Sequence, residues 1–213
     1  MIEFPKTAAF GTRITVAQLK KQGLKSSLAE NVKTLTWSYK LSPETMQLAP
    51  TEAVKEIEVM DLVLKERGTA ARTMAALISA IDGLIPSPLL FRVYDETGEE
   101  QGLMFNLKAS GGALHGTSEV FRLFQTKEDV PLPTGVTSLE SYLKALAVQC
   151  AGLTPRDGET LRDLEDRHYR LESLRADFQE VENKLAKARQ PDIKYQLAKD
   201  RQKLQKEIEK CQK

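Results

Sequence analysis

A chain of 213 residues, 41 % of them hydrophobic, has the apolar mass for a real core, which excludes a disordered chain and leaves room for one domain plus an appendage. Charged residues make up 29 % and balance to a net charge of +1, so no global basic surplus argues for nucleic acid and only a local patch could do so. Cys150 and Cys211 are too few and too scattered for a disulfide scaffold. With no apolar run near the ~18 residues of a membrane span and no signal-peptide core in residues 1–12, the expected setting is the reducing cytoplasm, away from the membrane.

Residues 1–11 read as a short lead-in with Pro5. Val16, Leu19, Leu24, Leu28 and Val32 follow a helical rhythm that Gly23 interrupts, which predicts one broken helix or two short ones. In residues 34–41 Leu35, Trp37, Tyr39 and Leu41 alternate with polar neighbours, the pattern of a strand. Ser42-Pro43-Glu44-Thr45 then has the cap, proline and first-turn acid of a helix start. Residues 54–65 form the clearest strand. Its apolar phase changes after Val59, which predicts either a bulge or a central strand covered on both faces.

Met74, Leu77, Ile78 and Ile81 share one face of a helix that Gly83 and Pro86 end. Residues 89–94 and 102–108 read as two strands joined by the polar connection 95–100. Residues 118–125 suggest a further edge strand, and 138–151 an amphipathic helix. Beyond Thr154 the composition turns highly charged. Leu161, Leu164, His168, Leu171, Leu174, Phe178, Val181 and Leu185 recur at steps of three and four, and after Pro191 so do Ile193, Leu197, Leu204, Ile208 and Cys211. Two such helices around a proline fold back most simply as an antiparallel, coiled-coil-like hairpin. The expected architecture is α/β (α+β): a single mixed or antiparallel sheet with packed helices over residues 1–153, followed by the helical hairpin over 154–213.

The sharpest enzymatic reading is a Mg²⁺-dependent nuclease, which needs strand-borne carboxylates and a nearby lysine; Glu58, Asp61 and Lys108 could supply them. The residue two before that lysine is Asn106, a poor Mg²⁺ ligand, and solvation of a strand face explains the same charges. Cys150 sits among apolar neighbours like a small core residue, and His115 lies in a loop without a nucleophile. No catalytic constellation, resident metal or cofactor is therefore assigned, and Mg²⁺ enters only with the nuclease reading. At the strand-to-helix junction, Lys40 and Glu44 are candidate partner contacts beside a simple turn-setting role. In the last helix Leu197, Leu204 and Ile208 are candidate docking residues. Lys199, Arg201, Lys203, Lys206 and Lys210 could touch a phosphate backbone, or simply keep the hairpin soluble.

Three segments together resemble a bacterial family known as domain of unknown function 4391: residues 37–45 with the strand at 54–59, residues 81–91, and the terminal stretch 194–209 with Leu197 and Leu204. The resemblance implies a small α/β protein ending in a helical hairpin, often encoded beside helicases and DNA methyltransferases of restriction-like defence systems. It supplies no catalytic residues. The expectation it leads to is a non-catalytic accessory subunit of a DNA-processing or anti-phage system. Such a subunit would dock a helicase, a methyltransferase or a second copy through the hairpin; a divergent nuclease and a DNA-binding module on the basic last helix are the alternatives.

Overall fold

Alternating strands built from β-branched and apolar residues dominate the first two thirds of the chain. The computed structural model describes residues 4–109, 112–113, 123–128 and 130–213. A 3₁₀ turn, Lys6–Ala8, leads into β1 (Ala9–Ile14), which the sequence pattern did not reveal. β1 is an edge strand exposed along almost its whole length, so it lacks the buried alternation that marks a strand. Its one aromatic side chain, Phe10, lies 4.2 Å between ring centroids from Trp37 of the next strand.

The predicted broken helix is α1 (Val16–Gln22) followed by α2 (Ser26–Ala29), with Thr15 capping α1 and Gly23 left-handed at its end. β2 (Val32–Leu41), the short α3 (Pro43–Met46) and β3 (Ile57–Leu64) follow. α4 (Ala71–Asp82) crosses over to β4 (Leu89–Tyr94), which runs parallel to β3. β5 is Glu100–Phe105, and the short pair β6 (Lys108–Ala109) and β7 (Gly112–Ala113) stands apart from the main sheet. β8 (Phe124–Thr126) completes the main sheet, in the order β1-β2-β3-β4-β5-β8. All its pairings are antiparallel except β3 with β4, so the sheet is mixed. α5 (Leu139–Ala151) follows and contacts β8. His115 and most of the expected strand at 118–125 lie outside the described residues.

The phase change along β3 has a simple cause. The strand is central and covered on both faces, and its pairing with β4 is unbroken from Glu58 to Val63. Met60, Leu62 and Leu64 join Leu77, Ile78 and Ile81 of α4, together with Leu19 and Leu24, in one buried cluster. Ile57 and Val59 are as deeply buried but outside that cluster, because successive strand residues leave opposite faces. The bulges fall in β2 instead, where Lys33 and Ser38 are passed over in the register with β3.

Gly102 in β5 has φ +127°, and a Cβ there would stand 2.2 Å from the Thr126 carbonyl oxygen of β8. Backbone strain and this contact together predict that Gly102→Ala costs about 2 kcal/mol. A urea titration of both proteins checks this, and a loss below about 0.5 kcal/mol would show that β8 yields without cost.

The chain divides into two compact units, Met1–Ala151 and Gly152–Lys213. The second consists of α6 (Leu161–Lys187) and α7 (Pro191–Gln212), packed along each other. Thr160 and Asp163 form a capping box at the start of α6, and Pro191 takes the first position of α7. Among the described residues no helix is long and apolar enough to cross a membrane.

Candidate functional site

Glu58 and Asp61 are three residues apart on a strand whose register is continuous, so their side chains leave opposite faces of the sheet. The proposed trio of Glu58, Asp61 and Lys108 therefore does not come together, and Asp61 is removed from it. On its own face Asp61 is held by Arg92, its cross-strand neighbour, at 2.6 Å (Nε to Oδ1) and 2.7 Å (Nη2 to Oδ2), and it accepts a further bond from Ser38 Oγ at 2.6 Å. Arg92 is 8 % exposed, and its guanidinium lies 4.9 Å from the Tyr39 ring centroid and 6.0 Å from that of Phe4. A bidentate pair roofed by aromatic rings is a structural clamp between β3 and β4.

Glu58 and Lys108 belong to a polar cluster on the other face, beyond the last turn of α4. Lys108 is 2 % exposed and donates to the carbonyls of Asp82 at 2.7 Å and Ile85 at 2.6 Å, with Asp82 Oδ1 at 3.0 Å. Its ammonium thus closes the carbonyl end of α4, where a helix leaves acceptors without partners. This explains why β5 stops at Phe105 rather than running on to 108: the chain turns so that Lys108 can reach inward. Burial pushes the Lys108 ammonium below its ordinary pKa and the Asp82 carboxyl above its own, and their mutual charge opposes both shifts. Glu58, 6 % exposed, is also pushed up, first by burial and then by the charge of Glu56. With its donors engaged, Lys108 is not placed to polarise a water. Among the described residues no group of three or more His, Cys, Asp or Glu is arranged to hold a metal ion.

Lys40 stands opposite Glu58 on β2 and pairs with Glu56 at 2.7 Å, the chief reason its pKa is raised. Ser87 Oγ donates to the same Glu56 at 3.2 Å. At the junction into α3, Thr45 Oγ1 accepts from the Ser42 N–H at 2.9 Å and donates to the Lys40 carbonyl at 2.9 Å. Ser42 Oγ donates to Glu44, which holds that carboxyl below its usual range. Lys40, Glu44, Thr51, Lys55 and Glu56 line a shallow cleft of about 550 Å³. Lys40 and Glu44, the candidate partner contacts, are thus already tied to neighbours, Lys40 to Glu56 and Glu44 to Ser42. Burial raises the Cys150 thiol to about 12, so it carries no thiolate near neutrality.

The hairpin is closed at one end and looser at the other. Near its base Arg167, 6 % exposed, binds Glu159 through two bonds of 2.7 Å and donates to the Thr154 carbonyl at 3.0 Å. The Thr154 N–H donates to Gln212 at 2.8 Å, tying the entry of α6 to the exit of α7. Leu171, Leu174, Ile208 and Cys211 are buried there. Toward the turn Phe178, Val181, Leu185, Leu197 and Leu204 are only half-buried, Ile193 is 48 % exposed and Tyr195 76 %. Of the candidate basic residues, Lys199, Lys203, Lys206 and Lys210 are exposed, whereas Arg201 is paired with Glu182 at 3.2 Å.

Two pairs escaped sequence reading, Asp61 with Arg92 and Asp82 with Lys108. Each had a local signal: Arg92 is the single charge in the apolar run 89–94, and Asp82 follows Ile78 by one helical turn on the apolar face of α4. Neither signal names the mate, which comes from another element.

No curated protein and no solved structure matches the chain. A family model does match, over residues 2–208, and on that coverage the chain belongs to the family described as domain of unknown function 4391.

Proposed function

We propose that the protein is a non-catalytic accessory subunit of a DNA-processing or anti-phage assembly that docks a protein partner through its C-terminal hairpin. The observation that carries this reading is the gradient along the α6–α7 seam, buried at Ile208 and Cys211 but open at Leu197, Leu185 and Ile193. A two-helix seam covers too little apolar area by itself, and its open end fits a partner helix with an apolar stripe, as in a larger bundle. Lys108 and Asp61, which a nuclease would need free, are each engaged in holding elements together. A helicase or DNA methyltransferase of the same system is the partner proposed, in keeping with the setting that the family resemblance implies.

The test is capture of host proteins by the tagged full-length chain and by Ile193→Glu, whose exposed position tolerates charge without unfolding. A residue at the centre of such an interface contributes about 1–2 kcal/mol, so the variant is expected to capture the partner roughly tenfold less. Equal capture by both proteins, or no helicase or methyltransferase in either, removes this reading. A dimer by light scattering that Ile193→Glu converts to monomer moves the occupant of the seam to a second copy.

A further inference from the structure

The lysines of α7 are not scattered. At 3.6 residues per turn, Lys199, Lys203, Lys206, Lys210 and Lys213 fall within a roughly 80° arc, and Tyr195 stands in the same arc one turn before them. The arc lies opposite the seam residues Ile193, Leu197, Leu204, Ile208 and Cys211. From Tyr195 to Lys213 no carboxylate falls within it; Asp192, in the first turn of α7, shares the arc about two turns before Lys199. Asp200, which accepts a bond from Gln196, and Glu207 turn toward one flank of the seam, and Glu209, bonded by Gln205, toward the other. All five lysines are exposed, and among the described residues none of them is ion-paired. The stripe ends at a cavity of about 580 Å³ where Lys210 meets Arg156, Arg167 and Arg170, with Asp166 and Glu207 also in its wall.

Charges that support a coiled coil flank the apolar seam, where they can reach the facing helix. These lysines are on the far side and have no such mate. A helix lying on a membrane would need apolar residues bordering its cations, and this arc has only Tyr195. What a straight, single-signed row at a spacing of about 5.4 Å meets best is a polyanion with regularly repeated charge. We propose that the outer face of α7 binds the phosphodiester backbone of nucleic acid, without reading base sequence. Lysine ammoniums act there as point charges on phosphates, and the row offers no planar arginine or amide fork for base edges. This inference is independent of partner docking, which uses the opposite side of the same helix.

The experiment is fluorescence anisotropy of the full-length protein with a labelled duplex of about 30 base pairs and the matching single strand, over about 50–200 mM salt. Five phosphate contacts predict a slope of log K against log salt of about −4.5 on duplex, a loss of roughly 500-fold over that range. Lys199→Ala, Lys203→Ala and Lys206→Ala combined are expected to bring the slope to about −2. The exposed pair Lys20→Ala and Lys21→Ala on α1 is expected to leave it unchanged. A scrambled duplex should bind equally. Tighter binding of the single strand than of the duplex, lost in Tyr195→Ala, would place an unpaired base on the tyrosine and still support the assignment. No salt-dependent binding to either nucleic acid, or an unchanged slope in the triple variant, overturns it. So does binding only to phosphatidylserine vesicles or only to polyglutamate, which would assign the stripe to a lipid surface or an acidic protein.

Discussion

Lys108→Met is expected to destabilise the protein by about 3–5 kcal/mol at neutral pH, the penalty of leaving a buried charge without its mate. The side chain is 2 % exposed, and Asp82, 5 % exposed, would lose the ammonium 3.0 Å away. The carbonyls of Asp82 and Ile85 would lose their donor as well. The pH dependence carries the signature. Burial already holds the Asp82 carboxyl above its ordinary pKa, with Lys108 pulling it back, so removing Lys108 raises it further. A carboxyl whose folded pKa lies above its unfolded value contributes stability that is present in full below the unfolded value, about 3.9 for Asp, and is lost as pH rises through the folded one. The variant should therefore lie closer to wild type at about pH 5 than at about pH 8. Adding Asp82→Asn should restore at least half of the loss at about pH 8 by removing the unpaired charge. Urea unfolding of the three proteins at both pH values measures this. A loss that is independent of pH and not rescued by Asp82→Asn would show that Lys108 acts through packing alone.

Asp61→Ala is expected to cost about 3 kcal/mol, and for a chain of this size that is a fall in Tm of roughly 6–12 °C. The effect comes less from the missing carboxylate than from what it leaves behind, the guanidinium of a buried Arg92 beneath Phe4 and Tyr39. Since the Asp61 side chain is itself a quarter exposed, water can reach part of the site, which sets the expectation at the low end for a buried pair. Asp61→Leu combined with Arg92→Leu should recover most of the loss, because two apolar side chains can replace a buried pair of charges. Thermal melts of the single and double variants decide it. A fall of less than about 2 °C for Asp61→Ala would mean that the clamp contributes little and that Asp61 is available for other work.

Both predictions concern residues that the alternative nuclease reading would use, and the reason that reading fails is geometric. Nothing local to Glu56-Ile57-Glu58-Val59-Met60-Asp61 says which carboxylate faces which neighbour. The parity of the strand separates Glu58 from Asp61, but only pairing with β4 brings Arg92 beside Asp61. Likewise only the α4 crossover and the end of β5 bring Lys108 to the last turn of α4. The exposed edge strand β1 was missed for a related reason, since a strand with no buried face carries no alternation to read.

Elsewhere the chain announced itself because the information is local. The broken helix at Gly23, the strands around Trp37 and Val59, the apolar face of α4 and the two long charged helices all follow from periodicities of two or 3.6 residues and from caps within a few positions. The lysine row on α7 belongs with them, because a single helix's geometry places Lys199, Lys203, Lys206 and Lys210 on one face whatever surrounds it. What the sequence by itself determined is therefore the set of elements, their amphipathic faces and the basic stripe. The tertiary structure alone decided which charges meet: Asp61 with Arg92, Asp82 with Lys108, Glu159 with Arg167. Such pairs form between groups far apart along the chain or on different elements, and their energies depend on a burial that exists only once the sheet and helices have packed.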